Sequence, residues 1–256
     1  MRRPISAIVL AAGQGTRMAS SLPKPLHPLG GRAMLLHIVD VLAELGVARV
    51  VVVVGHESEQ VMAAVMADAP EGLTIEFVEQ TKQRGTGDAV AVALAGSVGI
   101  GDDDDLLVLP GDTPLLRATT LTSLIEHHQG GRAAATLLSA VVLDPTGYGR
   151  VVRGSGQLVE RIVEQADANA DELAIREVNT SVYCFRRDSL APALAQLDSS
   201  NAQGELYLTD AISLLAAAGF GSEAIVVEDA TEVAGVNDRV QLAEAEEAMR
   251  RRSADH

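Results

Sequence analysis

Apolar residues follow two spacings along the chain, and each spacing predicts one kind of element. Short continuous runs rich in valine, isoleucine and leucine, such as 5–10 and 47–54, are typical of strands buried on both faces of a parallel sheet. Runs with apolar residues three or four positions apart, such as 33–45, are typical of helices packed on that sheet. The predicted strands are 5–10, 47–54, 73–78, 106–109, 133–142, 150–153, 158–164, 177–186 and 224–227. The predicted helices are 33–45, 57–66, 86–94, 121–128, 189–197, 208–218 and 238–252.

The order of these elements predicts the fold class. The first half runs β-α-β-α-β-α-β, which indicates parallel strands joined by right-handed crossovers. Beyond Gly111 the alternation loosens, and 150–153 and 158–164 form a hairpin-like pair joined by 154–156. We therefore expect an α/β fold with a Rossmann-like, doubly wound, mixed but mostly parallel sheet. The inserted strands should shape a second ligand pocket beside the first.

A glycine-rich, basic loop follows the first predicted strand. It reads Leu-Ala-Ala-Gly-Gln-Gly-Thr-Arg-Met at 10–18, and Lys24 follows at short range. Glycines at 13 and 15 would let backbone N–H groups approach a phosphate at the carboxyl end of a strand, where ligands bind in open α/β sheets. The spacing is not that of a Walker A loop, and Met18 stands where a dinucleotide-binding loop has its third glycine. The pattern predicts a polyphosphate ligand held by another kind of loop.

The charge balance limits the classes of partner. The sequence has 20 basic and 35 acidic residues and a formal net charge of -15, which repels nucleic acid and anionic membranes. Cys184 is the one cysteine, and its apolar surroundings predict a buried, inert thiol. The sequence contains no apolar run long enough for a secretory signal or a membrane span, so we expect a cytoplasmic protein.

Two carboxamides, Gln80 and Gln83, flank a turn between a predicted strand and a predicted helix. Gly85 could simply make the turn and Thr86 cap the helix, which is the commoner role of such residues. Amide groups also match the hydrogen-bonding edge of a pyrimidine. With a phosphate loop in the same chain, we favour base recognition.

Asp112 follows a predicted central strand, in Leu-Pro-Gly-Asp-Thr-Pro-Leu at 109–115. Such an aspartate is often only a turn residue, but it could also be a Mg²⁺ ligand, because a cation bound with phosphates needs few protein oxygens. Asn237 is a plausible partner oxygen, and its alternative role is to cap the last helix.

Three residues in the second half fall at predicted strand ends, namely Gly149, Glu164 and Asn179. Each residue alone is weak evidence for a binding site. Together, a glycine that allows close approach, a carboxylate and an amide are suited to binding the hydroxyls and amide of a sugar. The acidic run 102–105 predicts a solvated loop, and His127 and His128 predict a helix C-terminus that favours positive charge.

These segments resemble, in the same order, the uridylyltransferase half of the bifunctional bacterial enzyme that makes UDP-N-acetylglucosamine. The resemblance runs from residue 5 to about 239. The segments are the loop at 10–18, Leu-Pro-Lys at 22–24, Gln-Arg-Gly-Thr-Gly at 83–87, Gly-Asp-Thr-Pro-Leu at 111–115, Gly-Tyr-Gly-Arg at 147–150, Ile-Val-Glu at 162–164, Asn-Ala-Gln-Gly-Glu-Leu-Tyr-Leu-Thr-Asp at 201–210 and Gly-Val-Asn at 235–237.

The resemblance implies a role for each matching residue and an activity for the whole. That activity is Mg²⁺-dependent transfer of UMP from UTP to N-acetylglucosamine 1-phosphate, a step of cell wall biogenesis that yields UDP-N-acetylglucosamine and pyrophosphate. By position, the nucleotide would be held by Leu10, Ala12, Gly13, Gly15 and Thr16, the phosphates by the catalytic Arg17 and Lys24, and uracil by Gln80, Gln83, Gly85 and Thr86. Asp112 and Asn237 would bind Mg²⁺, and Gly149, Glu164, Asn179 and Thr209 would line the sugar side.

The resemblance also implies the domain organisation. Residues 1–237 would form the nucleotidyltransferase domain, and 238–256 a C-terminal helix that begins the family's helical arm. The left-handed β-helix of hexapeptide repeats, which carries acetyl transfer and trimer formation in that enzyme, has no counterpart among these residues, so we expect a monomer or weak oligomer.

Three residues depart from the family pattern. Pro110 stands where Tyr or Ser is expected, Asp88 where His is usual after Gly-Thr-Gly, and Ser181 where Gly is usual. Asp88 and Ser181 touch the predicted base and sugar pockets. Two alternatives therefore stay open, namely a nucleotidyltransferase for molybdopterin or another sugar 1-phosphate, and a catalytically silent nucleotide-sugar binding protein.

Overall fold

The structure, a computed structural model, describes residues 2–55 and 57–254. Its strands are β1 (Ile5–Leu10), β2 (Pro28–Leu29), β3 (Arg32–Ala33), β4 (Arg49–Val54), β5 (Thr74–Glu79), β6 (Asp105–Pro110), β7 (Ala135–Val141), β8 (Arg150–Arg153), β9 (Val159–Val163), β10 (Glu177–Arg186) and β11 (Ser222–Val226). Its α-helices are α1 (Met34–Glu44), α2 (Ser58–Asp68), α3 (Thr86–Gly96), α4 (Ala118–Gly130), α5 (Ala170–Leu173), α6 (Arg187–Leu194), α7 (Asp210–Ala217) and α8 (Arg239–Ala254).

One mixed sheet organises these elements, and its strand order is β11-β7-β10-β6-β1-β4-β5. Parallel pairing joins β1 to both β4 and β6, β4 to β5, and β7 to β11. Strand β10 runs against both β6 and β7, and it also pairs with β8 of the β8–β9 hairpin. The predicted α/β fold with a doubly wound, mostly parallel sheet is therefore confirmed.

Helices cover both faces of the sheet because successive residues of a strand point to opposite sides. In β1, Ile8 belongs to the core that α3, α6 and α7 complete, whereas Ala7 and Val9 belong to the core completed by α1, α2 and α4. All three side chains are fully buried. This double burial explains why the central strands read as continuous apolar runs in the sequence.

The order of strands reverses at β1, and this reversal positions the candidate site. The chain leaves β1 toward β4 on one side, while β6 lies on the other side with Leu10 paired to Pro110. The Gly111 N–H donates to the Leu10 carbonyl at 2.9 Å. The loops after β1 and β6 thus diverge from one point at the carboxyl edge, where ligands bind in open α/β sheets.

The structure adds elements that the hydrophobic pattern did not predict. These are the β2–β3 hairpin, the one-turn helix α5, and four short 3-10 helices, of which Thr16–Met18 and Lys24–Leu26 lie in the basic loop. Each is too short to show a period. The predicted C-terminal segment 238–256 contains α8, and its last two residues lie outside the described residues.

The prediction of a solvated loop at 102–105 was wrong in part, whereas His127 and His128 do lie in the last turn of α4, as expected. Asp102 is exposed as expected, but Asp104 and Asp105 are buried, and Asp104 accepts hydrogen bonds from the Ser6 hydroxyl at 2.6 Å and the Gly101 N–H at 3.1 Å. His128 is also buried and contacts the Thr136 hydroxyl at 2.9 Å. Buried polar groups need such partners, and here distant parts of the chain supply them.

The single cysteine, Cys184, is fully buried in the sheet, and burial raises the pKa of its thiol well above the usual value. A buried, protonated thiol is unreactive, as the sequence predicted. No helix among residues 2–55 and 57–254 is both long and apolar enough to cross a lipid bilayer.

Candidate active site

The basic loop after β1 is shaped by Gly15 and Lys24. Gly15 has a φ of 61°, in the left-handed region that favours glycine. A Cβ added to Gly15 would overlap the Cβ of Lys24, whereas a Cβ on Gly13 would meet no atom within 4 Å. Gly15 is therefore required for the fold of the loop, and Gly13 leaves backbone open toward the cavity.

Four polar side chains converge beside this loop. The Lys24 ammonium contacts Asp112 Oδ2 and donates a hydrogen bond of 2.8 Å to Asn237 Oδ1. Arg17 Nη2 donates to the same Asn237 oxygen at 3.0 Å. Lys24 and Asp112 are both mostly buried, with side chains 13% and 25% exposed. Two cations and two side-chain oxygens thus share one small volume at the carboxyl edge of the sheet.

Backbone contacts hold Asp112 and Asn237 in place. The Val236 N–H donates to the Asp112 carbonyl at 2.8 Å, so the segment that carries Asn237 lies directly against the loop after β6. Asp238 caps helix α8, because its Oδ1 accepts from the N–H groups of Val240 and Gln241, each at 2.9 Å. Asn237 is therefore not the helix cap that the sequence left as an alternative, and its side chain faces Lys24 and Arg17.

The C-terminal helix also anchors the far end of the basic loop. Arg239, its first residue, donates from Nε to the Met18 carbonyl at 3.1 Å and from Nη2 to the Ala19 carbonyl at 3.2 Å. The Met18 side chain is itself buried. A residue near the C-terminus thus helps to fix a loop near the N-terminus.

Asp112 and Asn237 are suited to a divalent cation. Both side-chain oxygens already converge on one cationic group, the Lys24 ammonium. Among the described residues, no group of three or more His, Cys, Asp or Glu side chains could hold a metal ion. A hard cation bound by these two oxygens would therefore take its other ligands from phosphate or water, as is usual for metal ions that act on nucleotides.

The basic loop with its cluster of polar side chains forms the first wall of the site. The turn between β5 and α3 forms a second wall, which we call the base wall. Gln80 is buried, and its Nε2 donates to the Gly85 carbonyl at 3.1 Å and to Asp88 Oδ2 at 2.8 Å. Gly55, at the end of β4, packs against this wall, since a Cβ there would lie 2.6 Å from the Ala12 carbonyl and 2.9 Å from Gln83 Nε2. Gly55 is a contact that the sequence analysis did not single out.

The segment around Leu206 packs directly against this turn. Gly85 has a φ of 113°, and a Cβ there would lie 2.5 Å from the Leu206 carbonyl. The Thr86 hydroxyl accepts from the Leu208 N–H at 3.0 Å and does not cap α3, whose preceding residue Gly85 supplies no side chain. The Thr86 hydroxyl therefore joins two distant segments, which the helix-cap alternative did not foresee.

Glu164, supported by Thr209, lies on a third wall of the site. The Thr209 hydroxyl donates to Glu164 Oε1 at 3.0 Å, and a Cβ on Gly149 would lie 3.3 Å from Glu164 Oε2. Desolvation raises the pKa of Glu164, and the nearby carboxylates of Asp210, Asp167 and Glu205 add to this rise. This wall therefore presents a carboxylate acceptor in acidic surroundings.

Asn179 lies beside Glu164, in an irregular part of β10. Its Nδ2 donates to the Tyr183 hydroxyl at 2.7 Å, and its Oδ1 accepts from the Ser181 N–H at 3.2 Å. Ser181 has a φ of 61°, which is unusual for a residue with a side chain, and the pairing register with β7 shifts between Asn179 and Tyr183. The bulge turns Asn179, Thr180 and Ser181 toward the cavity that they line.

One cavity of about 730 Å³ joins the three walls. It brings together every residue that the sequence proposed for the site except Thr209, which lies behind Glu164. Its lining also includes residues to which the sequence analysis gave no role, and these are Gln14, Ala89, Thr113, Gly147, Tyr148, Thr180, Glu205, Val233 and Gly235. Gly147 and Tyr148 belong to a quoted motif and could have been proposed, whereas Ala89 and Val233 carry no local signal.

Comparison with known proteins identifies a family. The profile described as MobA-like NTP transferase domain matches residues 7–216. The Bifunctional protein GlmU of Lactococcus lactis subsp. cremoris (strain MG1363) is 46% identical over 246 residues, which are 96% of this chain and 52% of that protein. The protein of the same name from Geobacillus thermodenitrificans (strain NG80-2) is 47% identical over 249 residues, with 96% and 52% covered. The chain thus spans about half the length of these curated relatives.

Solved structures show the same fold at lower identity. A Bacillus anthracis protein described as a glucose-1-phosphate thymidylyltransferase, solved with sucrose, has a TM-score of 0.74 at 20% identity, with 95% of this chain and 94% of that chain covered. HddC from Yersinia pseudotuberculosis, complexed with GMP-PN, has a TM-score of 0.68 at 18% identity, with 97% and 100% covered. At these identities the likeness concerns the architecture alone.

Proposed function

This chain belongs to the family of MobA-like NTP transferase domains, and from that premise we propose that it transfers UMP from UTP to N-acetylglucosamine 1-phosphate. The products are UDP-N-acetylglucosamine and pyrophosphate. The family and the relatives make the chain a nucleotidyltransferase. The choice of uridine and of the sugar is our inference from the motifs and from the walls of the cavity.

One observation carries the proposal. Lys24, Arg17, Asp112 and Asn237 contact one another in a single cluster at the carboxyl edge of the sheet. The cluster lines the same cavity as the amide-bearing turn at Gln80 and the carboxylate Glu164. Cations for phosphates, amides for a base and a carboxylate for sugar hydroxyls are the groups that a nucleoside triphosphate and a sugar 1-phosphate require.

The reaction that suits this cluster is an in-line phosphoryl substitution. A phosphate oxygen of the sugar 1-phosphate forms a bond to the α-phosphorus of UTP, and the bond from that phosphorus to the bridging oxygen breaks. Pyrophosphate leaves with the electron pair. The attacking phosphate is ionised at neutral pH, so the protein supplies neither a nucleophile nor a general base, and positioning and charge neutralisation account for catalysis.

Each cluster residue has a proposed part in this reaction. Arg17 and Lys24 neutralise charge that develops on the departing pyrophosphate. Asp112 and Asn237 would hold Mg²⁺. When bound, the ion supplies electrostatic stabilisation of phosphate oxygens and orients the two substrates.

The two outer walls would bind the base and the sugar. In this proposal Gln80, Gln83, Gly85 and Thr86 would hold uracil, and Gly149, Glu164 and Asn179 would hold the sugar; all seven line the same cavity. Thr209 would act indirectly, because its hydroxyl donates to Glu164 and fixes the carboxylate that faces the sugar hydroxyls. The product would serve cell wall biogenesis in the cytoplasm.

Pyrophosphate release is the direct test of this function. The full chain is assayed with each of UTP, CTP, ATP, GTP and dTTP against N-acetylglucosamine 1-phosphate, glucose 1-phosphate and molybdopterin, with Mg²⁺ and then with excess EDTA. We expect release with UTP and N-acetylglucosamine 1-phosphate, and loss of release when EDTA is present. Faster release with another pair would favour a related nucleotidyltransferase. No release with any pair, together with tight UDP-sugar binding, would favour a silent binding protein.

A further inference from the structure

Asp88 contacts the buried amide of Gln80 at the base wall. Its Oδ2 accepts from Gln80 Nε2 at 2.8 Å, and the Gly85 carbonyl accepts from the same nitrogen at 3.1 Å. The Asp88 side chain is only 13% exposed. Its other carboxylate oxygen lies 4.0 Å from Nε of Arg84, whose side chain is 63% exposed. Asp88 is therefore held between an internal donor and a surface cation.

These two contacts fix which way the Gln80 amide faces. A carboxylate and a carbonyl oxygen can only accept hydrogen bonds, so each must be paired with an N–H of the amide. Both N–H groups of Gln80 are then used, and the amide cannot flip without placing its own oxygen against two acceptors. Among the described residues no donor reaches Gln80 Oε1, and Gln80 lines the same cavity as the basic loop.

We propose that Asp88 is a positioning residue that holds Gln80 Oε1 toward the nucleobase and thereby selects bases that present an N–H. This inference rests on the proposed function and deepens it. Uracil has an N–H donor at ring position 3, whereas cytosine has a bare acceptor nitrogen at the same position. An oxygen fixed in the pocket would bind the first base and repel the second. Because a buried acceptor without a partner is costly, discrimination should be strong.

The test compares UTP and CTP, which differ at the edge that Gln80 would contact. We expect the unmodified chain to prefer UTP by at least about a hundredfold in kcat/KM. In Asp88→Asn, which keeps the side-chain shape, the amide at 88 can either donate or accept, so a turned Gln80 would oppose only one fixed acceptor, the Gly85 carbonyl, and turning would cost less. The ratio of kcat/KM for UTP over CTP should then fall about tenfold. Asp88→Ala, which removes the acceptor, should lower the ratio in the same direction.

Arg84→Ala is the matched control, since it removes the surface partner of Asp88 and leaves the Gln80 contact intact. Its ratio should equal that of the unmodified chain. An unchanged ratio in both Asp88 variants would overturn the inference, and so would an equal loss for UTP and CTP, which is what a merely structural role would cause. Near-equal use of UTP and CTP by the unmodified chain would overturn it as well.

Nucleotide binding measured by calorimetry separates this inference from the proposed function. If the chain releases no pyrophosphate but binds UTP over CTP in an Asp88-dependent way, the proposed function fails and the role of Asp88 stands. If the chain transfers UMP and the Asp88 variants keep their preference for UTP over CTP, the proposed function stands and the role of Asp88 fails.

Discussion

The ammonium of Lys24 donates a hydrogen bond of 2.8 Å to the side-chain oxygen of Asn237, across 213 positions of sequence. The same ammonium contacts Asp112, so one cation joins the loop after β1, the loop after β6 and the segment before α8. Loss of this cation would leave the side-chain oxygens of Asp112 and Asn237 without their shared partner. It would also remove positive charge from the site where, in our proposal, pyrophosphate departs.

Lys24→Ala should therefore lower turnover by about a hundredfold or more, equivalent to about 3 kcal/mol of transition-state stabilisation. Asp112→Ala should have an effect of similar size. The measurement is kcat for pyrophosphate release at saturating UTP and sugar 1-phosphate. Lys82→Ala is the natural control, because Lys82 is the only other lysine of the sequence and its side chain is exposed. Near-normal turnover in Lys24→Ala would remove Lys24 from the mechanism.

The two glycines of the basic loop should respond differently to alanine. Gly15→Ala adds a Cβ that overlaps Lys24, in a backbone conformation with a φ of 61°. We expect it to lower the free energy of unfolding by about 1–2 kcal/mol and to reduce turnover. Denaturant unfolding monitored by circular dichroism measures the first effect.

Gly13→Ala serves as its pair, since a Cβ at that position meets no atom within 4 Å. Stability should be unchanged in this variant, while nucleotide affinity falls because the added methyl group projects toward the cavity. Equal stability losses in the two variants would show that Gly15 is not special to the loop.

Ser181 occupies a conformation that costs free energy, because a side chain at a φ of 61° crowds the backbone. Ser181→Gly should raise the free energy of unfolding by about 0.5–1 kcal/mol, the strain relieved less the extra freedom that glycine gives the unfolded chain. Ser181→Ala keeps the strained backbone and should give no gain. A stabilising alanine would mean that the hydroxyl, not the backbone, is responsible.

The sequence predicted the architecture well because the physical signal was local. Buried parallel strands are continuous apolar runs, and β1 and β4 were found on that basis within two residues of their ends. Candidate site residues could be proposed because polar residues that follow such strands meet at one edge of the sheet. Asp112 was proposed in this way, and Gly15 was proposed from the glycine-rich loop that follows β1.

The contacts between site residues could not be predicted, because they join distant positions. Nothing local to Lys24 encodes a partner 213 residues away, and nothing local to Asp104 reveals that Ser6 buries it. The helix-cap alternative for Asn237 was decided by its neighbour Asp238, whose carboxylate takes that role. Which of two adjacent polar residues caps a helix and which contacts the site is decided by the tertiary structure.

His128 should make stability depend on pH. Burial, with nearby Arg186, Arg3 and His127, lowers its pKa from 6.5 to about 4. The unfolded chain therefore binds more protons than the folded chain between these values, so the free energy of unfolding decreases as pH falls from 6.5 to 4. The expected loss is about 3 kcal/mol.

The contribution of the neighbouring Asp105 to the pH dependence of stability must be separated from that of His128. Burial raises the pKa of Asp105, which acts in the opposite sense because its shift favours the folded chain at low pH. Urea unfolding between pH 4 and 7 is therefore compared with that of His128→Gln, in which the slope due to His128 should disappear. His127→Gln alters a half-exposed side chain and should keep the slope. If the free energy of unfolding of His128→Gln changed with pH as steeply as that of the unmodified chain, the prediction would be contradicted.

The adjacent residues Asn237 and Asp238 should separate activity from stability. Asp238 caps α8 through two backbone N–H groups, so Asp238→Ala should lower the free energy of unfolding by about 1 kcal/mol. Asn237 Oδ1 accepts from Lys24 and Arg17 and makes no such cap, so Asn237→Ala should lower turnover by about tenfold or more with a smaller change in stability. Thermal unfolding and pyrophosphate release measured on the same preparations decide between them. If Asn237→Ala lost stability and kept its turnover, its oxygen would be structural, and Asp112 would remain as the single protein ligand for a metal ion.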